Sequence, residues 1–205
     1  MRRGLALALT LALAAPVAAG WRPEGTPASR AAMDACARAR AAPEAEQERL
    51  FTAALEEAER AVKVDDGDAL AHFAVFCSLG GRMERQGVSL AALANLRRLR
   101  AAVDRTLALA PDYPDALAGK GSLLCETPRL LGGDPAEGEA LLRRAIALDP
   151  TWVRPRLTLA EALLARGARA EAATVAREAL AVAEKEGDAE DTAEARALVG
   201  RLEKP

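Results

Sequence analysis

Three segments of this chain close in the same manner: Glu59-Arg60-Ala61-Val62-Lys63-Val64-Asp65-Asp66, Asp104-Arg105-Thr106-Leu107-Ala108-Leu109-Ala110-Pro111 and Arg143-Arg144-Ala145-Ile146-Ala147-Leu148-Asp149-Pro150. Each sets small and apolar residues at helical spacing, then stops the helix with an acidic residue or proline. An ending that recurs like this marks one supersecondary unit handing over to the next, which predicts a stack of paired helices. Aromatic residues make up only 3% of the chain, so the core has to come from close helix approaches over alanine and glycine. No segment alternates apolar and polar residues as a strand would, and no strands are expected.

The N-terminus reads Met1-Arg2-Arg3-Gly4, an apolar run from Leu5 to Ala15, then Pro16-Val17-Ala18-Ala19. A basic end, a short apolar core and small residues before a cut form a secretory signal, with cleavage expected after Ala19 by the general secretion route. The alternative is an uncleaved anchor, although the run is about half of what a bilayer crossing requires. Residues 20–27, rich in Gly and Pro, read as a linker, and residues 28–205 as one helical domain. Localisation is expected to be periplasmic or secreted. Removing the leader takes the formal charge from −2 to −4, and the one basic group free of neighbouring acids is Arg97-Arg98 with Arg100. Nucleic acid is therefore not an expected partner.

Helical periodicity places helices over about 28–41, 44–64, 68–79, 89–109, 114–126, 135–148, 151–166, 169–184 and 188–203. The third is expected to stop at Gly80-Gly81. Pro114 suits a first helical turn, and Asp134-Pro135-Ala136-Glu137 combines a capping acid, a first-turn proline and a carboxylate that can reach back to the cap. Cys36, Cys77 and Cys125 are an odd set with no CxxC pair, which supports neither a metal nor a redox motif. One disulfide with one free thiol is open to them in an oxidising compartment. Cys77 and Cys125 otherwise read as small buried hydrophobes in apolar helical stretches.

The segment 153–186 resembles the tetratricopeptide repeat (TPR), a unit of about 34 residues in which two antiparallel helices meet at a tight turn. Leu159 and Ala160 stand at that family's Leu-Gly pair, Leu163 at the large residue one turn on, Gly167 at the turn, and Ala172 and Ala179 at the small positions of the second helix. The segment 114–150 is similar, with Gly121 and Ala145 at small positions. Its unit is 39 residues from Pro111 to Pro150, and the surplus falls in the loop from Thr127 to Asp134. Ala54 and Ala61 match the small positions of an earlier second helix. The resemblance implies a right-handed superhelical α-solenoid of about eight to nine helices, closed by a capping helix at 188–203. More narrowly, Arg129-Leu130-Leu131-Gly132-Gly133-Asp134-Pro135 between paired helices resembles the TPR-like T component associated with tripartite (TRAP) periplasmic solute transporters. That likeness implies contact with a solute-binding protein.

Catalysis has little to work with. His72 is the single histidine and falls where the repeat family places a large packing residue. No HExxH, CxxC, GxSxG or phosphate-loop pattern is present, and the carboxylate pairs read as solvated helix charges. No enzyme activity, cofactor or metal is expected. The repeat resemblance implies binding in a groove lined by the first helix of each unit. The matching positions are Phe73, Cys77, Ser122, Arg154, Leu157 and Glu161, with Ala118 and Leu164 beside them, a mostly apolar set. The expectation is a non-catalytic scaffold in the bacterial cell envelope that binds a peptide or partner helix. The alternative is a transporter-linked periplasmic module that binds a solute-binding protein or a small hydrophobic ligand. Composition does not bear on oligomeric state.

Overall fold

The computed structural model describes residues 22–86 and 90–204, with the side chains of residue 86 and residues 90–92 left aside. The expected leader, residues 1–19, lies outside the described residues. Within them the chain forms nine α-helices and no strand: α1 Pro27–Ala41, α2 Glu44–Val64, α3 Ala69–Gln86, α4 Leu90–Leu109, α5 Pro114–Glu126, α6 Pro135–Leu148, α7 Arg154–Ala165, α8 Arg169–Glu186 and α9 Ala189–Glu203. A single 3-10 turn at Arg129–Leu131 sits between α5 and α6. Consecutive helices pair antiparallel, α1 with α2 through to α7 with α8, and each pair stacks on the next. α9 packs on α8, burying Ala195, Leu198 and Leu202, and ends the stack.

Local chemistry sets the helix ends. The Thr26 hydroxyl accepts from Ser29 N at 3.2 Å to start α1, and Asp134 Oδ1 accepts from Ala136 N and Glu137 N, both at 3.1 Å, to start α6. Asp188 does the same for α9 through Asp191 N at 2.9 Å. These contacts satisfy N–H groups that have no partner within the first helical turn. Between α1 and α2, Gln47 Nε2 donates to the carbonyls of Arg40 at 3.2 Å and Ala42 at 2.9 Å.

Two helix boundaries differ from the sequence expectation. α3 does not stop at Gly80-Gly81 but runs on to Gln86. A Cβ on Gly81 would lie 2.3 Å from Phe51 Cε1, so this glycine makes room for an aromatic ring of α2 and the helix passes through it. α7 starts at Arg154 and not at Thr151. Asp149 and Thr151 form a turn in which the Thr151 hydroxyl bonds Asp149 Oδ1 at 2.8 Å. The later start keeps Pro155 within the first turn, where its missing N–H costs no helical hydrogen bond.

The interior is built from small residues. Ala58, Ala74, Ala145, Ala160, Ala172 and Ala179 are fully buried, with Leu142, Leu159 and Leu163 filling the spaces between them. Where α5 crosses α6, a Cβ on Gly121 would lie 2.9 Å from Gly138 O. The two backbones approach too closely there for any side chain. Gly167 has φ +87° in the turn between α7 and α8.

The cysteine question, open in the sequence, is decided by the stacking. Cys36 of α1 and Cys77 of α3 form a disulfide with Cα atoms 6.4 Å apart, joining the first helices of two successive units across a separation of 41 residues. Cys77 is thus not the free buried hydrophobe that its surroundings suggested. Cys125 is free and half-buried. Burial, followed by the carboxylates of Glu139 and Glu126, pushes its thiol up to about 11.

Candidate functional site

The first helices α1, α3, α5 and α7 carry the six positions that the repeat resemblance assigns to a groove, and the stack brings few of them to the surface. Phe73 is buried, its ring 4.8 Å from Tyr113 and 5.8 Å from Phe76. Leu157 is buried in the core shared by α5 to α9. The apolar contact surface expected from these two is therefore absent, because both are needed to join neighbouring units. Cys77 is held in the disulfide and lies 3.7 Å from Arg40 Nη2. Ser122 is half-buried and returns its hydroxyl to Ala118 O at 3.0 Å. Arg154 and Glu161 are exposed but occupied: Arg154 bonds Glu194 at 2.6 Å and Asp191 at 2.9 Å, and Glu161 bonds Arg201 at 3.0 Å. All three partners are on α9, so the cap bridges by charge to the first helix of the last unit.

What remains on this side is charge. Glu84 of α3, Glu126 of α5 and Glu161 of α7 come from three successive first helices, and the outer two act on Glu126. Partial burial first, then the carboxylates of Glu84 and Glu161, hold Glu126 above the ordinary glutamate value. A carboxyl raised in this way is stabilised by an incoming cation. Sequence reasoning missed Glu84 and Glu126. Each stands near the end of its helix among ordinary surface charges, and nothing in the spacing shows that three helix ends converge.

His72 lies against the stack as the packing reading expected: it is buried, with Nε2 3.0 Å from Asp66 O and 3.3 Å from Asp66 Oδ1. Arg105 reaches the same Asp66 at 2.9 Å. Beside them, α2 and α4 part over α3 and leave an open groove of about 390 Å³. Val62, Val75, Ala101 and Ala102 line it, with Glu59, Lys63, His72, Arg98 and Arg105 around them. Arg98 is paired with Glu59. This groove runs between second helices and was not anticipated, since periodicity assigns both helices a buried face without fixing the width of the gap between them.

The segment before α1 is also tied down. Arg22 Nε pairs with Asp115 at 2.6 Å, and Nη2 with Asp149 at 3.6 Å. Asp115 lies above the ordinary aspartate value because burial outweighs the opposing pull of Arg22. Among the described residues no group of three or more His, Cys, Asp or Glu side chains could hold a metal ion, and no helix is long and apolar enough to cross a membrane.

Paired antiparallel helices, a polar cap and buried alanines and glycines where helices cross define a TPR-like α-solenoid, a framework whose function rests on surface side chains. Solved structures carry the same fold. The chain superposes on TTC0263, a thermophilic TPR protein of Thermus thermophilus, with a TM-score of 0.61 at 20% identity, covering 75% of this chain and 78% of that one. It superposes on the MamA RS-1 ArsTM double mutant with a TM-score of 0.53 at 15% identity, covering 87% and 96%. At these identities the likeness is one of fold. No protein-family model matches the sequence, and no curated protein matches it.

Proposed function

We propose that the chain is a non-catalytic TPR-like scaffold of the bacterial cell envelope that holds a basic segment of a partner protein along α3, α5 and α7. The observation that carries this reading is the placing of Glu84, Glu126 and Glu161 on three successive first helices, where partial burial and then the other two carboxylates raise Glu126 above its ordinary value. An extended or helical segment bearing lysine or arginine would relieve that repulsion, and its reach would match the spacing of the stacked units. The envelope location is supported by the leader-like N-terminus and by the Cys36–Cys77 disulfide, a bond that persists in oxidising compartments. A transporter-linked role with a small enclosed solute fits less well, because the apolar groove between α2 and α4 is open rather than closed over a ligand.

The test is fluorescence anisotropy with Lys-rich and Glu-rich peptides of equal length. The Lys-rich peptide should bind at least tenfold more tightly at low salt, and the preference should fall in Glu84→Gln/Glu126→Gln/Glu161→Gln. Equal affinity for the two peptides would remove the proposal.

A further inference from the structure

A cavity of about 170 Å³ lies where α4, α5 and α6 meet, and it shares no lining residue with the α2–α4 groove. Two helices line it in the same register. Arg100, Val103 and Asp104 of α4, and Lys120, Leu123 and Leu124 of α5, stand at i, i+3 and i+4 on one face of each helix. Glu137, in the first turn of α6, completes the lining. The charges divide unequally. Lys120 Nζ is 2.9 Å from Asp104 Oδ1 and 3.5 Å from Glu137 Oε1, so two carboxylates share one ammonium and leave a net negative charge. Asp104 stands one helical turn from Arg100, yet it is turned to Lys120 and does not pair with the arginine.

Arg100 is the group left over. Its Nε and Nη2 are shut off from bulk solvent and have no hydrogen-bond partner among the described residues. These two N–H groups form one edge of the guanidinium, an edge that takes a carboxylate through two parallel bonds. The remaining corner, Nη1, rests against the turn before α6, where a Cβ on Gly132 would lie 2.3 Å from it. A charge so placed has given up water without gaining an acceptor, a costly state that an anionic oxygen relieves. The cavity that Arg100 lines is the space in which such an oxygen can stand, and a small rotation of the guanidinium presents the edge to it.

The cavity thus offers a cation without a partner and, one helical turn along, a carboxylate pair with charge to spare, beside the apolar side chains of Val103, Leu123 and Leu124. We propose that it binds a small aliphatic α-amino acid. The carboxylate sits on Arg100, the ammonium joins Lys120 between Asp104 and Glu137, and the side chain lies on the leucines. A simple anion would be repelled by Asp104 and Glu137, and a simple amine by Arg100 and Lys120. A ligand that carries both charges on one carbon satisfies both halves of the site. Size agrees with this: at ~30 Å³ per water, the cavity of about 170 Å³ equals roughly five or six waters, the bulk of a small amino acid and too little for a peptide. The site uses none of Glu84, Glu126 and Glu161, so it stands or falls apart from the basic-segment reading.

Isothermal titration calorimetry with three matched probes tests it: L-valine, isovalerate, which lacks the ammonium, and isobutylamine, which lacks the carboxylate. L-Valine should bind one to one, and each of the other two about tenfold more weakly or worse. Arg100→Gln should bring L-valine down to the affinity of isobutylamine while leaving isobutylamine itself unchanged. Asp104→Asn with Glu137→Gln, both at exposed positions, should bring L-valine down to the affinity of isovalerate and leave isovalerate unchanged. This second variant keeps the test intact should Arg100→Gln perturb the helical circular dichroism. Absence of saturable heat with L-valine overturns the proposal. So does isovalerate binding as tightly as L-valine, which would mark a plain anion site, or isobutylamine binding as tightly, which would mark a plain cation site. L-Valine affinity that survives in both variants overturns it as well.

Discussion

Asp68 Oδ2 accepts a hydrogen bond from Thr26 N at 2.8 Å, while its Oδ1 accepts from Leu70 N at 2.8 Å and Ala71 N at 3.2 Å. One carboxylate thereby caps α3 and holds the entry to α1 beside it. Burial alone would raise the pKa of Asp68 by disfavouring its charged form, but donors from Ser29, Thr26 and Ala71 together outweigh it, and the pKa lies below the ordinary aspartate value. A depressed carboxylate contributes stability that is present above its unfolded value, about 3.9, and lost as pH falls through the folded value. Asp68→Ala is expected to cost about 1–2 kcal/mol near neutral pH. In urea denaturation the difference between the two proteins should narrow in acid. A gap that is the same at both pH values would show that the charge is not involved.

The adjacent glycines of α3 should respond in opposite directions. A Cβ on Gly81 meets the Phe51 ring at 2.3 Å, whereas one on Gly80 has Leu99 Cδ1 as its nearest neighbour, at 3.7 Å, an ordinary contact. Gly81→Ala is expected to destabilise by about 1–3 kcal/mol through overpacking. Gly80→Ala should stabilise by about 0.5–1 kcal/mol by removing helical glycine entropy. Thermal melts of the two variants that shift in the same direction would contradict this account of the pair.

The disulfide closes a separation of 41 residues between Cys36 and Cys77. On the chain-entropy model a loop of that length gives about 4 kcal/mol. Reduction, or Cys36→Ser with Cys77→Ser, should lower the denaturation midpoint accordingly. Cys125→Ser should leave the mobility difference between reduced and non-reduced gels intact, because that thiol takes no part in the bond.

Arg22 is about half exposed at its side chain, while Asp115 is largely covered. Arg22→Ala removes the main counter-charge of a buried carboxylate and should raise Asp115 further above its ordinary value. A raised carboxyl opposes folding when it must be charged, at pH above its folded value, and ceases to do so once pH falls below the unfolded value. The variant should therefore lose about 1 kcal/mol near neutral pH and little in acid. A loss that grows as pH falls would reverse the sign and refute the assignment.

Much of the fold was legible because its signals are local. The capping acid and first-turn proline of Asp134-Pro135 begin α6 where the sequence places them, and Pro114 begins α5. The small positions Ala145, Ala160, Ala172 and Ala179 are all fully buried. Gly80-Gly81 was misread because a glycine that ends a helix and one that admits a neighbouring ring look the same in one dimension. Phe73 and Leu157 fall on the groove by the repeat resemblance, which says which positions of a unit share a face. It does not say which neighbouring unit will cover that face.

The order of residues alone determined the helices, their antiparallel pairing and the small side chains at their crossings, since hydrogen bonding within a turn and spacing along one helix suffice for these. Tertiary structure decided which cysteines bond, that α9 binds Arg154 and Glu161, that Glu84, Glu126 and Glu161 converge, and that a groove opens between α2 and α4. Each of those depends on the separation of segments far apart along the chain. That separation is set by how the stacked units pack together, which no single unit encodes.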